Sequence, residues 1–364
     1  MIVIAADTHK SSHSFSACSE QTGRRVAEKS FRADRAGMLE TLRWGRALGD
    51  RRVWALEDCR HVSGRLERFL VASGERVIRV PPTLMGASRR AEREPGKSDV
   101  IDARAVGRAV VERGVDAFAA AFLDAQALEI RLLNDHRSDL VAERTQLQAR
   151  LRWHLLELDD ELEARIPAGA LDRTLWLDRV DRRLKRLDQG ARVRVAREQL
   201  RRIRAVCREI TALEFELKAL VVAKRPELLA IEGCGVLTAA TLIGRTAGAE
   251  RFPSDGHFAR QAGAAPIPAS SGRRDRHRLN RGGDRQLNAA LHRIAVTQGR
   301  VHPPARAFLE RKQAEGKSRS EALRCLKRHL ARRVWHAMRD EHPVTPTRKP
   351  TMSVHAPIPI GCLI

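Results

Sequence analysis

Two aspartates three residues apart, Asp99 and Asp102, have a spacing that suggests metal chemistry. They begin a segment, 99–110, whose apolar residues recur at the spacing of an α-helix. Residues at i and i+3 share one helix face, with Cβ atoms about 5–6 Å apart. Both carboxylates can therefore reach one divalent metal ion or a pair of such ions. The alternative is an ordinary helix start, where acidic residues interact favourably with the helix dipole.

Two more carboxylates lie upstream, each directly after an apolar segment typical of a β-strand. Asp7 follows Met1–Ala6, and Glu57 follows Val53–Leu56. Because ligands gather at the carboxyl ends of parallel strands, Asp7 and Glu57 are expected to be neighbours if their strands pair. The alternatives are a turn residue at the end of a strand for Asp7 and a solvated acidic pair with Asp58 for Glu57.

The segments around these carboxylates predict an α/β fold. Strand patterns cover residues 1–6, 13–19, 25–31, 53–56 and 76–80, and helical patterns cover 35–48, 62–72 and the segment that begins at Asp99. Three consecutive strands followed by alternating helices and strands give a mixed sheet with helices on its faces. Four carboxylates gathered at one edge of that sheet repel one another unless cations bind, and Mg²⁺ suits carboxylate oxygens and substrate phosphates. A pair of such ions is suited to phosphodiester transfer.

The composition points to a nucleic-acid partner. The chain of 364 residues carries a net charge of +23, with arginine favoured over lysine, which fits phosphate binding. No apolar run is long enough to cross a membrane and no signal peptide is recognisable, so a cytoplasmic protein is expected. The six cysteines are scattered singly, which indicates reduced thiols and argues against a zinc site.

The region from residue 121 to residue 225 has an almost wholly helical pattern. One apolar stripe spans 147–166, and a strongly basic helix is predicted over 171–187. A second stripe has steps of three and four, the spacing of a coiled-coil seam, at Ile203, Val206, Ile210, Leu213, Leu217 and Leu220. This pattern predicts a long helical arm, and an ordinary helical bundle is the alternative. The seam can close within one chain or between two.

A new unit begins at Pro226 with the pattern of a helix-hairpin-helix turn. Gly233 and Gly235 precede a segment rich in small residues. Glycines permit a tight backbone, and free N–H groups at the start of the next helix can bind phosphate. A purely structural turn is the alternative. In so basic a chain, contact with a nucleic-acid backbone is favoured.

Further along, Ser270 and Ser271 precede Gly272 and a loop rich in arginine. The arginines expected to bind nucleic acid there are Arg273, Arg274, Arg276, Arg278, Arg281 and Arg285. A serine among them is placed to attack a phosphate whose charge they neutralise. The alternative is a flexible Ser-Ser-Gly turn beside a phosphate-binding run. No histidine–acid pair adjoins the serine, although His277 is near, so its activation is expected to come from elsewhere.

The end of the chain combines a helical segment with a proline-rich tail. Phe308–Met338 predicts a basic amphipathic helix pair. Its basic residues that are expected to face outward are Arg324, Lys327, Arg328, Arg332 and Arg333. The tail, 342–364, is expected to be disordered.

These motifs resemble a known family. The order D…E…D-x-x-D, formed by Asp7, Glu57, Asp99 and Asp102, resembles the RuvC-like branch of the ribonuclease H fold. More narrowly, the segments AADTHK, ALED and KSDVIDARA are similar to the N-terminal domain of the DEDD transposases of bacterial insertion sequences, the IS110 type. The segments IEGCGVLTAATLI, QAGAAPIPASSG and RLNRGGDRQLNAALH are similar to the C-terminal transposase domain of the same family.

The resemblance implies that Ser271, which directly precedes Gly272, is a covalent nucleophile and that Ser270 is the less suitable choice. It implies a composite site in which the four acids and their Mg²⁺ activate the serine for attack on DNA, which gives a 5′-phosphoserine intermediate. It also implies strand exchange, homodimers that pair into tetramers, and a structured bridge RNA that selects target and donor DNA by base pairing.

Four regions are expected on this basis. They are a RuvC-like DEDD catalytic domain at 1–120, a helical coiled-coil arm at 121–225, a mostly helical C-terminal transposase domain at 226–341 and the tail at 342–364. The expected function is that of a transposase or recombinase of a bacterial insertion sequence. One alternative is a junction-resolving nuclease of the same fold, in which water attacks and Ser271 is structural. Another is a non-catalytic RNA- or DNA-binding protein.

Overall fold

A mixed β-sheet lies at the start of the chain. The computed structural model describes residues 1–57, 60–84, 98–269, 277–280 and 282–339. The sheet has the strand order β3-β2-β1-β4-β5-β6, formed by β1 (Ile2–Thr8), β2 (Ser12–Ser19), β3 (Arg25–Arg32), β4 (Arg52–Glu57), β5 (Val77–Val80) and β6 (Ala119–Ala120). Asp58 and the predicted disordered tail lie outside the described residues.

The central strand β1 determines which residues lie side by side. It pairs antiparallel with β2 and parallel with β4, and Ala6 lies opposite Leu56. The fourth strand is therefore the neighbour of the first, which is the condition under which Asp7 and Glu57 were expected to be neighbours. The short strand β6, which pairs antiparallel with β5, was not predicted.

Helices cover both faces of the sheet because successive residues of a strand point to opposite sides. Ile4, Ala6, Trp54 and Leu56 pack into a core with α1 (Arg35–Ala47) and α2 (Arg60–Ala72). On the opposite face, the sheet packs against α3 (Asp99–Arg113). That core contains Val3, Ala5, Val53 and Ala55 from the strands and Ala105, Val106, Ala109 and Val110 from α3.

A buried carboxylate, Glu75, accepts hydrogen bonds from side chains of both α1 and β4. Arg52 Nε donates to Glu75 Oε2 at 2.7 Å, Trp54 Nε1 donates to the same oxygen at 2.9 Å, and Arg46 Nε donates to Oε1 at 3.0 Å. Burial alone raises the pKa of a carboxyl group, but these hydrogen bonds lower the pKa of Glu75 to about 2. Glu75 is therefore charged and structural at neutral pH.

Replacing Glu75 by glutamine is expected to lower the free energy of unfolding by about 3 kcal/mol at neutral pH, because Arg52 then keeps a half-buried charge without its carboxylate. Since the pKa of Glu75 falls from 4.5 to about 2 on folding, the loss is expected to be complete above pH 4.5 and to vanish as the pH falls towards 2. Urea unfolding followed by circular dichroism measures it. The exposed Glu112 supplies the control variant, Glu112→Gln, for which a change below about 0.5 kcal/mol is expected. Equal losses in both variants would contradict the structural role of Glu75.

Two long antiparallel helices follow the sheet. These are α4 (Ala125–Leu158) and α7 (Ala191–Lys224), with the shorter α5 (Asp160–Arg165) and α6 (Thr174–Arg186) between them. Leu147, Leu151 and Leu155 of α4 pack in one core with Ile203, Val206 and Ile210 of α7. In the described residues the predicted seam is therefore closed by contacts within one chain.

A second helical unit forms around the bases of these two helices. It contains α8 (Val236–Thr246), α9 (Asp255–Gln261), α10 (Arg285–Val301), α11 (Pro303–Ala314), α12 (Arg319–Ala337) and a short antiparallel pair, β7 (Ile267–Pro268) and β8 (His277–Arg278). Its apolar core includes Ala127 and Ile130 of α4 and Leu217 and Val221 of α7. Helix α4 therefore begins inside this C-terminal core, and helix α7 ends inside it.

One expectation for α12 is wrong. Lys327, which was predicted to face outward, is only 5% exposed. Lys327 lies four residues after Leu323 and three before Leu330, within the buried stripe of the helix, whereas Arg332 and Arg333 are exposed. No helix in the described ranges is long and apolar enough to span a bilayer.

Candidate active site

Asp7 and α3 meet at the carboxyl end of β1. Asp7 follows Val3 and Ala5 in the alternation that faces α3. Its Oδ2 lies 3.1 Å from His9 Nε2, and the same nitrogen lies 3.3 Å from Asp99 Oδ1. The imidazole of His9 thus joins the end of the strand to the first turn of α3.

The cluster of Asp7, His9 and Asp99 has the ligand atoms of a cation site. One atom from each residue lies within 4.8 Å of the others. Asp7 has a side chain only 10% exposed, whereas the side chain of Asp99 is 54% exposed. Oxygen ligands on a partly open edge suit a hard divalent ion that keeps some of its water.

Electrostatics support the same interpretation of the cluster. Burial raises the pKa of Asp7, and the nearby carboxylates of Asp102 and Asp99 raise it further, while His9 lowers it. A charged Asp7 is therefore disfavoured by its surroundings. A divalent cation would remove that penalty, because it offsets the repulsion between the carboxylates.

Glu57 and Asp102 belong to the same edge of the sheet. Glu57 follows Leu56, which pairs with Ala6, so Glu57 continues the register next to Asp7 on a strand about 4.8 Å away. By the alternation of β4 it shares the α3 face with Ala55. Asp102 lies one turn into α3 and is 7% exposed. All four predicted acids therefore lie on one face of the sheet, at one end.

The position of α3 has a local explanation. Ser98 caps the helix, with its Oγ accepting a hydrogen bond from the Ile101 amide at 3.3 Å. Gly107 lets the helix approach the sheet, because a Cβ atom there would lie 3.3 Å from the Cβ of Ala5. Arg104 Nε and Nη2 donate to the two oxygens of Glu28 at 2.6 and 2.8 Å. That pair lowers the pKa of Glu28 and fixes α3 across β3.

His9 was missed by the sequence analysis. The signal that could have found His9 is its position two residues after Asp7, just beyond the carboxyl end of β1.

The predicted nucleophile lies outside the described residues. So do four of the predicted arginines, namely Arg273, Arg274, Arg276 and Arg281. The described residues on either side are paired, with Pro268 of β7 opposite His277 of β8. The segment with Ser271 is thus the connection between these two strands. Arg278 on β8 and Arg285 at the start of α10 are both exposed.

A cleft separates this part of the C-terminal unit from the sheet. Its volume is about 420 Å³, and it is lined by Arg79 and Pro81 from the sheet side and by Arg260 and Pro268 from the C-terminal side. Pro81 follows β5, which runs parallel to β4. The cleft lies along β5 and the chain that leads into β6, and Ile267 and Pro268 of β7 form part of its wall.

The two glycines of the predicted hairpin differ in their surroundings. Gly233 has φ +82° and packs tightly, because a Cβ atom would lie 3.0 Å from the Cβ of Thr297. Gly235 is exposed, caps the start of α8 without a side-chain hydrogen bond, and has open space where a Cβ atom would stand. Gly233 thus has a structural reason to be glycine, while Gly235 leaves the helix start open.

Comparison with known proteins gives two family matches that follow each other along the chain. A transposase family model, DEDD transposase of the IS110 type, matches residues 4–158. A second model, described as the transposase IS116/IS110/IS902 family, matches residues 225–310. The first range contains Asp7, Glu57, Asp99 and Asp102, and the second contains Ser271.

Three relatives are proteins of insertion elements. The chain is 26% identical over 365 residues to the uncharacterized 42 kDa protein of IS900 from Mycobacterium paratuberculosis, which covers 86% of this chain and 90% of that protein. It is 28% identical over 340 residues to the 44.8 kDa protein of IS116 from Streptomyces clavuligerus, with 80% and 84% covered. With the 43.6 kDa protein of IS110 from Streptomyces coelicolor it shares 34% identity over 139 residues, which is 37% of this chain and 34% of that protein.

Proposed function

The chain belongs to the IS110-type DEDD transposases and is a DNA transposase; from this premise we propose that Ser271 and a Mg²⁺-binding DEDD site together cleave and exchange the DNA strands of its own element. The observation that carries the proposal is the convergence of Asp7, His9 and Asp99 at the carboxyl end of β1.

In the proposed site, Asp7, Glu57, Asp99 and Asp102 hold the metal. When bound, the ion lowers the pKa of a coordinated hydroxyl group and stabilises charge on the leaving oxygen. His9, which contacts two of these carboxylates, orients them. The residues present fit such an ion, since carboxylate oxygens of Asp7 and Asp99 and a ring nitrogen of His9 lie within 4.8 Å of one another and the buried Asp7 is otherwise disfavoured as an anion.

We propose that strand cleavage proceeds through a covalent protein–DNA intermediate. The Oγ atom of Ser271 loses its proton and forms a bond to a DNA phosphorus, the bond from phosphorus to the 3′ oxygen breaks, and that oxygen takes up a proton. The products are a 5′-phosphoserine and a free 3′-hydroxyl group. Arg278 and Arg285, together with the other arginines of this segment, neutralise the charge of the phosphate.

The finer structural features are part of the same proposal. We assign 1–120 to a RuvC-like domain because a three-stranded meander leads into parallel crossovers. The region 121–225 is then a coiled-coil arm, and 226–341 is a transposase domain in which Gly233 and Gly235 form a helix-hairpin-helix turn. The open helix start at Gly235 supports contact with a phosphate.

The partners follow from the family and the charge. A bridge RNA is proposed to select the DNA, and the net charge of +23 supports binding to such polyanions. Since the chain has no tyrosine and few other aromatic residues, the RNA would be held mainly by its backbone. Homodimers that pair into tetramers would bring the strands to be exchanged together, in the cytoplasm and on the nucleoid.

A strand-transfer assay tests the proposal. The purified protein is incubated with labelled DNA of the element end, target DNA, Mg²⁺ and RNA transcribed from the sequences that flank the reading frame. We expect recombinant strands that require both Mg²⁺ and RNA and disappear with EDTA. Cleavage to free 5′-phosphate ends without joining would instead identify a structure-specific nuclease of the same fold, in which water attacks.

A further inference from the structure

A basic cavity in the C-terminal unit contains several cations to which no role has been assigned so far. It has a volume of about 380 Å³ and lies between α12, residues 263–266 before β7, and residues 277–280, which comprise β8 and the two residues after it. Basic side chains line it, and among the described residues these are Arg278, Lys312, Lys317, Arg324, Lys327 and Arg328. The described lining contains one carboxylate, Glu321. The cavity is thus strongly cationic.

The most buried of these cations is Lys327. Its Nζ donates to Asn288 Oδ1 at 2.9 Å, and the residue is 5% exposed. Within the described part of the chain, no carboxylate forms an ion pair with Lys327, whereas Arg324 and Arg328 contact Glu321 and Asp255. Burial and the neighbouring charge of Arg324 both lower the pKa of Lys327. A buried ammonium with only a neutral partner is energetically costly.

Lys327 is connected to the turn that leads into β7. The side-chain amide of Asn288, which accepts from Lys327, donates to the carbonyl oxygens of Ala262 and Gly263 at 3.0 and 2.9 Å. Gly263 has φ +64°, and a Cβ atom there would lie 2.8 Å from Asn288 Nδ2. The ammonium group is therefore held in place beside the chain segment that enters the β7–β8 pair.

An anionic ligand accounts for these features. A phosphate in the cavity would offset the cost of burying Lys327 and would accept charge-assisted hydrogen bonds from lysine and arginine. Part of the remaining wall is apolar and consists of Ala264, Ala265, Pro266 and Leu279. Such a wall suits the sugar and base of a nucleotide rather than a free inorganic ion.

The cavity also lies beside the strand pair that adjoins the proposed nucleophile in sequence. Its lining includes residues 263–266, which lead into β7, and residues 277–280, which comprise β8 and the two residues after it, and the connection between these strands contains Ser271. A strand attacked by that serine extends over several phosphates on each side. A neighbouring phosphate then falls within reach of the cavity.

We propose that this cavity binds a backbone phosphate of the DNA strand, with Lys327 and Arg324 as ligands and the apolar wall against the adjoining nucleoside. The inference deepens the proposed function, on which it rests for the identity of the strand. It adds a binding subsite on α12 to the metal site on the sheet.

DNA binding without cleavage tests the subsite. Full-length protein is titrated in EDTA into a short fluorescein-labelled single-stranded deoxyoligonucleotide, and anisotropy gives the Kd at several salt concentrations. For Lys327→Met we expect the Kd to rise about tenfold, because a charge-assisted hydrogen bond is lost. The slope of log K against log salt is expected to fall by about one phosphate contact. Lys218→Met, an exposed lysine on α7, is the control and is expected to change the Kd by less than about twofold.

A second variant guards against misfolding of the first. Arg324→Gln removes a half-buried charge from the same cavity wall and is expected to weaken binding severalfold with an unchanged melting temperature. A Kd for both variants within about twofold of that of the control would overturn the proposal. So would a Kd that rises for an RNA oligonucleotide of the same sequence but not for the DNA oligonucleotide. Because EDTA prevents strand transfer, the result does not depend on the serine chemistry. If the two variants lose binding in EDTA while the natural protein forms no covalent adduct with DNA in the presence of Mg²⁺, the proposed function is contradicted and the subsite stands.

Discussion

Ser271→Ala is expected to abolish the covalent protein–DNA adduct, while Ser270→Ala keeps it. Alanine has no oxygen with which to attack phosphorus, and removal of a catalytic nucleophile lowers rates by about 10³-fold or more. The adjacent Ser270 does not directly precede glycine, and consecutive Cα atoms are about 3.8 Å apart, so its hydroxyl group starts from a different point of the backbone. Such a displacement removes the in-line geometry that attack requires.

The adduct is measured on DNA labelled at either strand end, with denaturing gels run before and after protease digestion. We expect a protease-sensitive species attached through the 5′ phosphate in the natural protein and in Ser270→Ala. Ser271→Ala is expected to retain DNA binding in EDTA, which shows that its loss is chemical. An adduct of equal yield in Ser271→Ala would contradict a nucleophilic role for this serine. Cleavage by Ser271→Ala at the natural rate would favour attack by water.

Asp7→Asn is expected to lower the rate of strand cleavage by about 10³-fold or more. The same substitution is expected to raise the melting temperature of the metal-free protein. The sign follows from the pKa of Asp7, which burial and the carboxylates of Asp102 and Asp99 raise. A raised pKa means that folding disfavours the charged form, so an uncharged amide of the same shape is tolerated better. The amide oxygen introduced by this substitution would still accept a hydrogen bond from His9, but it provides no negative charge for a cation.

The strand-transfer assay measures the loss of cleavage, and differential scanning fluorimetry with and without Mg²⁺ measures the melting temperatures. The natural protein is expected to melt at higher temperature as Mg²⁺ is added, because a ligand that binds only the folded state stabilises it. Asp7→Asn is expected to lose that dependence. Asp116→Asn is the matched control, since the Asp116 side chain is 96% exposed, and it is expected to behave as the natural protein. A full Mg²⁺ response in Asp7→Asn would place the metal elsewhere.

The strands β1 to β5 could be predicted from the sequence because they are apolar or alternating segments that end at turn residues. The order of elements predicted a mixed sheet with helices on its faces, but it left open whether β1 pairs with β4. By contrast, β6 has only two residues, Ala119 and Ala120, so it carries no alternation to detect. Its pairing with β5 depends on contacts made after the chain has folded, such as the hydrogen bond from Arg251 to the Ala120 carbonyl.

Residue type misled the prediction for Lys327, although its spacing was informative. The position between Leu323 and Leu330 belongs to the apolar stripe of α12, but a lysine in a basic helix is ordinarily solvated. Only the three-dimensional structure shows Asn288 placed to receive it. For the candidate metal site, the carboxylates were identifiable from strand ends and helix spacing. The role of His9 could be recognised only from the structure, in which the chain turns back between β1 and β2.

The insertion of α4 and α7 into the C-terminal core has a mechanical consequence. Each helix has 34 residues, which at about 1.5 Å per residue corresponds to roughly 50 Å of uninterrupted helix. Ala127, Ile130, Leu217 and Val221 anchor both helices at one end in the core that also holds α10 and α12. We therefore expect the pair to behave as a rigid rod and not as a flexible linker. A force applied by a molecule bound at its far end would then be transmitted to the unit that contains the serine segment.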